Sequence, residues 1–263
     1  MKQRIIIDSD AGTDVDDLFA LTYAIKNPNS NLVGITLTHG DTEIRARITR
    51  KLERLLGVDI PITAGVAGPK SSIKKYWTGF EKLALTEEEL KESFKNSPYP
   101  TYTKNTKLIC IGPLTNIALQ LEINPTIKNV KDLYVMGGCI DSHNFKSDIE
   151  SWKRVQEEPW NIYQVTKEDS DKISFTKDEL AKLNVSPLGN FLYESAVRWL
   201  DYTNTDSWID HPPKTKCAMY DVLTVSAGLE EPYVKFKQVS KNRFVSCDVD
   251  LDLKNKIIDF VRS

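Results

Sequence analysis

Short apolar runs alternate along this chain with stretches whose apolar positions recur at helical spacing. Ile5–Ile7 reads as a buried strand. Leu18–Lys26 continues as a helix, with Leu18, Leu21, Ala24 and Ile25 on one face. Leu32–Thr38 (LVGITLT) is the next strand, rich in β-branched residues. Thr42–Leu56 follows as a basic amphipathic helix and Ile60–Thr63 as a short strand. Lys107–Ile111 (KLICI) is a strand, Thr115–Leu121 starts a helix after the turn Gly112–Pro113, and Leu133–Met136 is a strand ending in Gly137–Gly138. Further on, the pattern predicts a helix over Val222–Ala227, a strand over Phe244–Asp248 and a closing helix over Leu253–Val261. Strands separated by helices imply an α/β fold: an open, mainly parallel sheet with helices on both faces. In such sheets ligands bind beyond the carboxyl ends of the strands.

Some stretches carry no such pattern. Lys82–Lys104 reads as a charged surface insertion with a short helix at Thr86–Phe94, Asp141–Glu158 is polar without a clear period, and Ser207–Pro213 is a loop. The 263 residues suit one large domain, 1–263. With 35 basic against 37 acidic residues the net charge is -2, which points to neither nucleic acid nor a membrane surface as a partner. Cys110, Cys139, Cys217 and Cys247 are widely spread, with no CxxC, as expected of free thiols in a reducing compartment. With no secretory pattern and no bilayer-length apolar segment, the expectation is a cytoplasmic protein.

The charge is distributed unevenly. Behind the isoleucine strand, RIIIDSDAGTDVDDLFA (Arg4–Ala20) places Asp8, Asp10, Asp14, Asp16 and Asp17 between a strand end and a helix start. One aspartate would serve as a helix cap. Five repel one another unless a cation is present, and carboxylates arriving from two backbone directions are the ligand set of a hard ion such as Ca²⁺. A solvated acidic loop is the other reading.

DSDAGTDVDDLFAL resembles the N-terminal signature of the nucleoside hydrolases, DxDPGxDDxxA, and more closely a variant with two extra residues, DxDxGxDxDDAxAL. The resemblance continues in order through GITLTHGD (Gly34–Asp41), PITAG (Pro61–Gly65), GPLTNIA (Gly112–Ala118), VMGG (Val135–Gly138), WNI (Trp160–Ile162), YDVLTV (Tyr220–Val225) and RFVSCDVD (Arg243–Asp250). It implies Ca²⁺-dependent hydrolysis of the N-glycosidic bond of a ribonucleoside to ribose and free base, by a homodimer or homotetramer. It implies Ca²⁺ ligands at Asp10, Asp17, the Thr115 carbonyl and Asp221, with Asp10 also the base that activates water. Asp16, Asn161, Glu158, Asp41, Trp77 and Tyr220 would face the nucleoside. Asp8 would support the site from behind, and Asp14, inserted relative to the family, would cap the helix or touch the site.

This chain also departs from the family pattern. Tyr220 stands where purine-preferring relatives carry a histidine that protonates the leaving base; with an ordinary pKa near 10 it is a poorer acid at neutral pH. Glu158 lies three residues before Asn161, and Pro159 fills the usual acidic slot. Only the nine residues Tyr163–Asp171 separate Asn161–Ile162 from Lys172–Leu183, whereas a crossover between parallel strands needs about a dozen residues. That spacing predicts a deletion after Asn161, with Lys172–Thr176 as a strand on a minimal connection or one strand missing. A family member that binds a ribosyl compound or metal without turnover is therefore the second hypothesis. A phosphatase with Asp8 as nucleophile, Asp10 as acid/base and Mg²⁺ is the third; GPLTNIA and VMGG do not fit it. Of the histidines, His39 is expected at the surface, His143 in solvent, and His211 as a loop-shaping residue.

Overall fold

The computed structural model describes residues 2–68, 79–205 and 214–263. Trp77, the loop Ser207–Pro213 and His211 lie outside the described residues. In chain order the elements are β1 (Gln3–Ser9), α1 (Asp16–Lys26), β2 (Ser30–Leu37), α2 (Thr42–Leu56) and β3 (Ile62–Ala64), then α3 (Glu87–Lys91), β4 (Thr106–Cys110), α4 (Thr115–Ile123) and β5 (Asp132–Met136). Next come α5 (His143–Ser147), α6 (Ile149–Gln156), β6 (Asn161–Val165), α7 (Lys167–Ser170), β7 (Ser174–Thr176), α8 (Lys177–Ala181) and α9 (Pro187–Thr203). The C-terminal part supplies β8 (Lys216–Ala218), α10 (Tyr220–Gly228), β9 (Val234–Ser240), β10 (Arg243–Val249) and α11 (Leu253–Arg262).

Eight strands form one sheet in the order β3-β2-β1-β4-β5-β6-β10-β9, parallel except for the terminal β9–β10 hairpin. The pleat explains the isoleucine run. Ile5 and Ile7 join the core on one face, with residues of α1, α2, α9, α10 and α11, while Ile6 joins Leu108, Cys110, Leu133 and Val135 on the other, beneath α4 and α6. Burial on both faces is why β1 reads as a continuous apolar run instead of an alternating one.

Strand order reverses at β1. The chain winds outward through β2 and β3, then returns to β4 on β1's other side and winds the opposite way. The carboxyl ends of β1 and β4 therefore flank a topological switch point, where an open α/β sheet has its crevice. The loops are tied there by backbone bonds: Ile111 N donates to Asp8 O (2.8 Å) and Thr38 N to Ser9 O (2.9 Å).

The deletion expected after Asn161 is not found. Asn161 is the first residue of β6, and the crossover that brings the chain there comes before it, through α5 and α6. Asp141–Glu158 is thus two helices, not a patternless insertion. Their buried side, Phe145, Trp152 and Val155, is too short to show a period, and the Phe145 and Trp152 rings stack at 3.9 Å. No strand is missing at Lys172–Thr176 either: β7 pairs antiparallel with β8 in a separate two-stranded sheet. The short helix expected in the charged insertion is α3, begun by a Thr86–Glu89 capping box.

Candidate active site

Beyond β1 the chain turns at Asp10–Val15 and enters α1, so Asp16 and Asp17 stand in that helix's first turn. Asp221 occupies the first turn of α10, which packs beside α1. One carboxylate oxygen from each of Asp16, Asp17 and Asp221 lies within 4.8 Å of the others, and all three residues are buried. Gly228 lets α10 lie this close to the sheet: a Cβ there would stand 2.4 Å from Ile109 Cδ1 in β4.

Asp10 sits beside this group. Gly112, at the turn after β4, makes room for it, since a Cβ on Gly112 would meet Asp10 Oδ1 at 2.8 Å. Beneath the turn lies Arg45 of α2, fully buried. Its guanidinium donates to the Asp10 carbonyl, to Ala11 O (2.8 Å), to His39 O (2.6 Å) and to Thr13 Oγ1 (3.2 Å). His39 is buried as well, in the left-handed region at φ 65°, which corrects its expected surface position. Ser9 Oγ donates to Asp17 Oδ1 (2.6 Å) and orients it.

Burial pushes the carboxyls of Asp16, Asp17 and Asp221 well above the ordinary carboxylate range, and repulsion within the cluster adds to it. Asp10 is also raised by burial, but the charges of Arg45 and His39 oppose the rise. Without a counter-charge such a group must hold protons; a divalent cation would replace them. All-oxygen donors arriving from two helices are the chemistry of a hard-cation site, so Asp16, Asp17 and Asp221 could hold a metal ion.

Asp8 lies one layer deeper. Its Oδ1 accepts from Thr36 Oγ1 and from Asn116 Nδ2 (2.7 Å), and burial lifts its pKa to about 7. A side chain buried and bonded in this way suits the supporting role and not the phosphatase nucleophile. Asn116, from GPLTNIA, also donates to Leu37 O (3.0 Å) and accepts from Val66 N (2.8 Å) and Tyr99 OH (3.0 Å), tying three loops together. Thr115 opens α4, with its hydroxyl on Asp148 Oδ2 (2.6 Å).

Several expected contacts are not brought to the cluster. Asn161 lies at the amino end of β6, opposite Asp132, and donates to its Oδ1 at 2.8 Å. That is the edge of the sheet away from the crevice. Glu158 is on the same side, paired with Arg154 at 2.8 Å. In their place the structure offers Asn144. It is buried in α5, and its Nδ2 donates to Ile111 O (3.0 Å) and Met136 O (3.3 Å), just beyond the carboxyl ends of β4 and β5. Asp41 caps α2 through Ile44 N (3.1 Å) and is exposed. Tyr220 flanks the cluster, but its hydroxyl donates to Asp171 Oδ1 (2.7 Å). Burial first, and then that carboxylate, raise its pKa further above the neutral range in which a leaving-group acid works. Asp14 accepts from Lys214 Nζ at 3.1 Å. Asn144, Arg45 and Lys214 escape sequence reading. Only the Asp148-x-x-Ser151 cap, with Ser151 N donating to Asp148 Oδ1 (3.1 Å), marks the start of α6 and hence the true crossover.

Fold and site together define an α/β protein with a buried acidic crevice at its switch point. The chain belongs to the inosine-uridine preferring nucleoside hydrolase family, whose model matches residues 5–258. An uncharacterised protein of Schizosaccharomyces pombe is 29% identical over 201 residues, covering 70% of this chain and 57% of that protein. The pyrimidine-specific ribonucleoside hydrolase RihB of Escherichia coli is 28% identical over 167 residues, covering 57% of this chain and 52% of RihB. The chain thus matches little more than half the length of these curated relatives. Among solved structures, the plant nucleoside hydrolase PpNRh1 superposes with a TM-score of 0.76 over 100% of this chain and 98% of that one; at 17% identity the likeness establishes the shared fold. Among the described residues, no helix is long and apolar enough to cross a membrane.

Proposed function

We propose that this chain hydrolyses the N-glycosidic bond of ribonucleosides, releasing ribose and a free base. The observation that carries this reading is the convergence of Asp16, Asp17 and Asp221 beside Asp10 at the switch-point crevice of this family's fold. Asp10, Asp17, Asp221 and the Thr115 carbonyl are the proposed ligands of a Ca²⁺ ion. When bound, that ion would acidify a water and neutralise the cluster. Asp10 takes the proton of the attacking water. The nearby positive charge of Arg45 favours its ionised form, which a base requires. Asp16 and Asn144 hold ribose hydroxyls: the first as an acceptor, the second anchored by the carbonyls of Ile111 and Met136. A homodimer or homotetramer belongs to the same reading. The binder without turnover loses one of its two supports, because the crossover that appeared shortened is of ordinary length; the altered ribose grip, with Glu158 paired to Arg154 away from the cluster, is the other.

Release of p-nitrophenolate from p-nitrophenyl β-ribofuranoside, with and without a chelator, tests the proposal. This leaving group departs without an acid, so the base pocket drops out of the assay. Turnover that a chelator abolishes and Ca²⁺ restores is expected. Folded, Ca²⁺-loaded protein without turnover would overturn it.

A further inference from the structure

The leaving base needs a partner that Tyr220 does not supply, since its proton is engaged by Asp171. The structure offers another group beside it. Lys214 Nζ stands 4.7 Å from the centroid of the Trp199 ring and 5.9 Å from that of Tyr220, and 3.1 Å from Asp14 Oδ2. The Lys214 and Asp14 side chains are largely buried, at 29% and 21% exposure. Asp14 is the inserted residue of the acidic loop. It is itself held by Val15 N, which donates to Asp14 Oδ1 at 2.7 Å. The pair joins the loop after β1 to the segment entering β8, beside the start of α10 that carries Asp221.

Burial lowers the basicity of Lys214, but the charge and hydrogen bond of Asp14 outweigh it, so the ammonium persists at neutral pH. An ammonium has three N–H donors, of which Asp14 takes one. A cation fixed by Asp14 next to the carboxylates of the proposed ribose site suits a planar heterocycle with an oxygen or ring nitrogen that gains negative charge. A base becomes such a heterocycle as it departs.

Resting on the hydrolase reading above, we propose that Lys214 is a further catalytic residue, donating a hydrogen bond to the departing base, and that Asp14 positions it. The C1′–N bond breaks with its electron pair staying on the base nitrogen. The water oxygen bonds to C1′ and its proton passes to Asp10. The base anion, stabilised by the Lys214 ammonium, takes its proton from solvent after departure, and Asp10 returns its own to solvent. Lys214 keeps its protons throughout, acting as an electrostatic donor aimed at developing charge.

The test compares two leaving groups. Lys214→Met should lower kcat on the best ribonucleoside by about 10²-fold, the usual effect of one such donor, while leaving p-nitrophenyl riboside turnover within about threefold. Lys214→Arg should recover most of the nucleoside activity. Asp14→Asn should reproduce the selective loss more weakly, and it serves as the readout if Lys214→Met does not fold. Equal losses on both substrates, or unchanged nucleoside turnover, would overturn the proposal. Wild-type protein inactive on both substrates would instead sink the hydrolase reading, and this inference with it.

Discussion

At the scale of single residues, the acidic loop was legible because its signal is chemical. Five carboxylates between a strand and a helix cannot all be capping groups, and the structure buries four of them: Asp8, Asp10, Asp16 and Asp17. Asn144 was not legible. It sits in a polar segment whose helices bury few apolar side chains, and the sequence offered a rival asparagine in Asn161. Their positions decide between them. Asn144 is anchored just past the carboxyl ends of β4 and β5, whereas Asn161 opens β6 against Asp132. Along β6, roughly 3.3 Å per residue separates Asn161 from the crevice edge. Asn144→Ala is accordingly expected to lower kcat/KM on a ribonucleoside by about tenfold or more, equivalent to about 1.4 kcal/mol, and Asn161→Ala to leave it within about twofold. Steady-state kinetics on the two variants checks this; a loss with Asn161→Ala alone would return the ribose contact to the sequence-based assignment.

At the scale of elements, β1, β2, β4, β5 and β10 were readable from apolar runs, and α1, α2 and α11 from period. What failed was the assignment of a crossover. The amphipathic face of α6 rests on Trp152 and Val155, so its pattern spans only two turns, and the polar α5 hides beside it. The β9–β10 hairpin was half seen because β9 lies at the sheet edge, where most of its side chains are exposed and no apolar run results. The docking of α10 was invisible for another reason: it depends on a missing side chain, that of Gly228. Gly228→Ala should push α10 from β4 and carry Asp221 with it. The expected cost is about 1–3 kcal/mol of stability, as for other overpacked sites, together with weaker Ca²⁺ binding. Ile109→Val removes the Cδ1 that the new methyl would meet, so the double variant should regain part of both losses. Urea unfolding and calorimetric titration measure them. A double variant no better than Gly228→Ala would refute this account of the packing.

For the whole molecule, a group of buried acids makes stability depend on pH and on the ion together. Asp16, Asp17 and Asp221 have folded pKa values raised above the unfolded value, by burial first and then by one another. Asp8 is raised by burial to about 7. A raised carboxyl binds its proton more tightly in the folded state. Its stabilising contribution is complete below the unfolded carboxylate range near pH 4 and is lost as pH rises through the folded value. Chelated protein should therefore melt at a lower temperature at pH 8 than at pH 6, by roughly 2–4 °C for each kcal/mol lost. Saturating Ca²⁺ should raise the melting temperature and shrink that difference, because ionised acids then face a cation. Scanning calorimetry at the two pH values, with chelator and with Ca²⁺, checks both signs. A chelated protein more stable at pH 8 would mean that these acids are not held protonated in the fold.

The placement of Asp221 on α10 has a consequence for the order in which the molecule is made. Synthesis runs from the N-terminus, so the loop holding Asp16 and Asp17 leaves the ribosome long before the carboxylate that completes the triad. Until α10 closes over α1, a cation encounters only part of its coordination set. On the proposed metal site, tight capture of an ion is reserved for chains whose late segments have docked, and the centre would register completion of the fold.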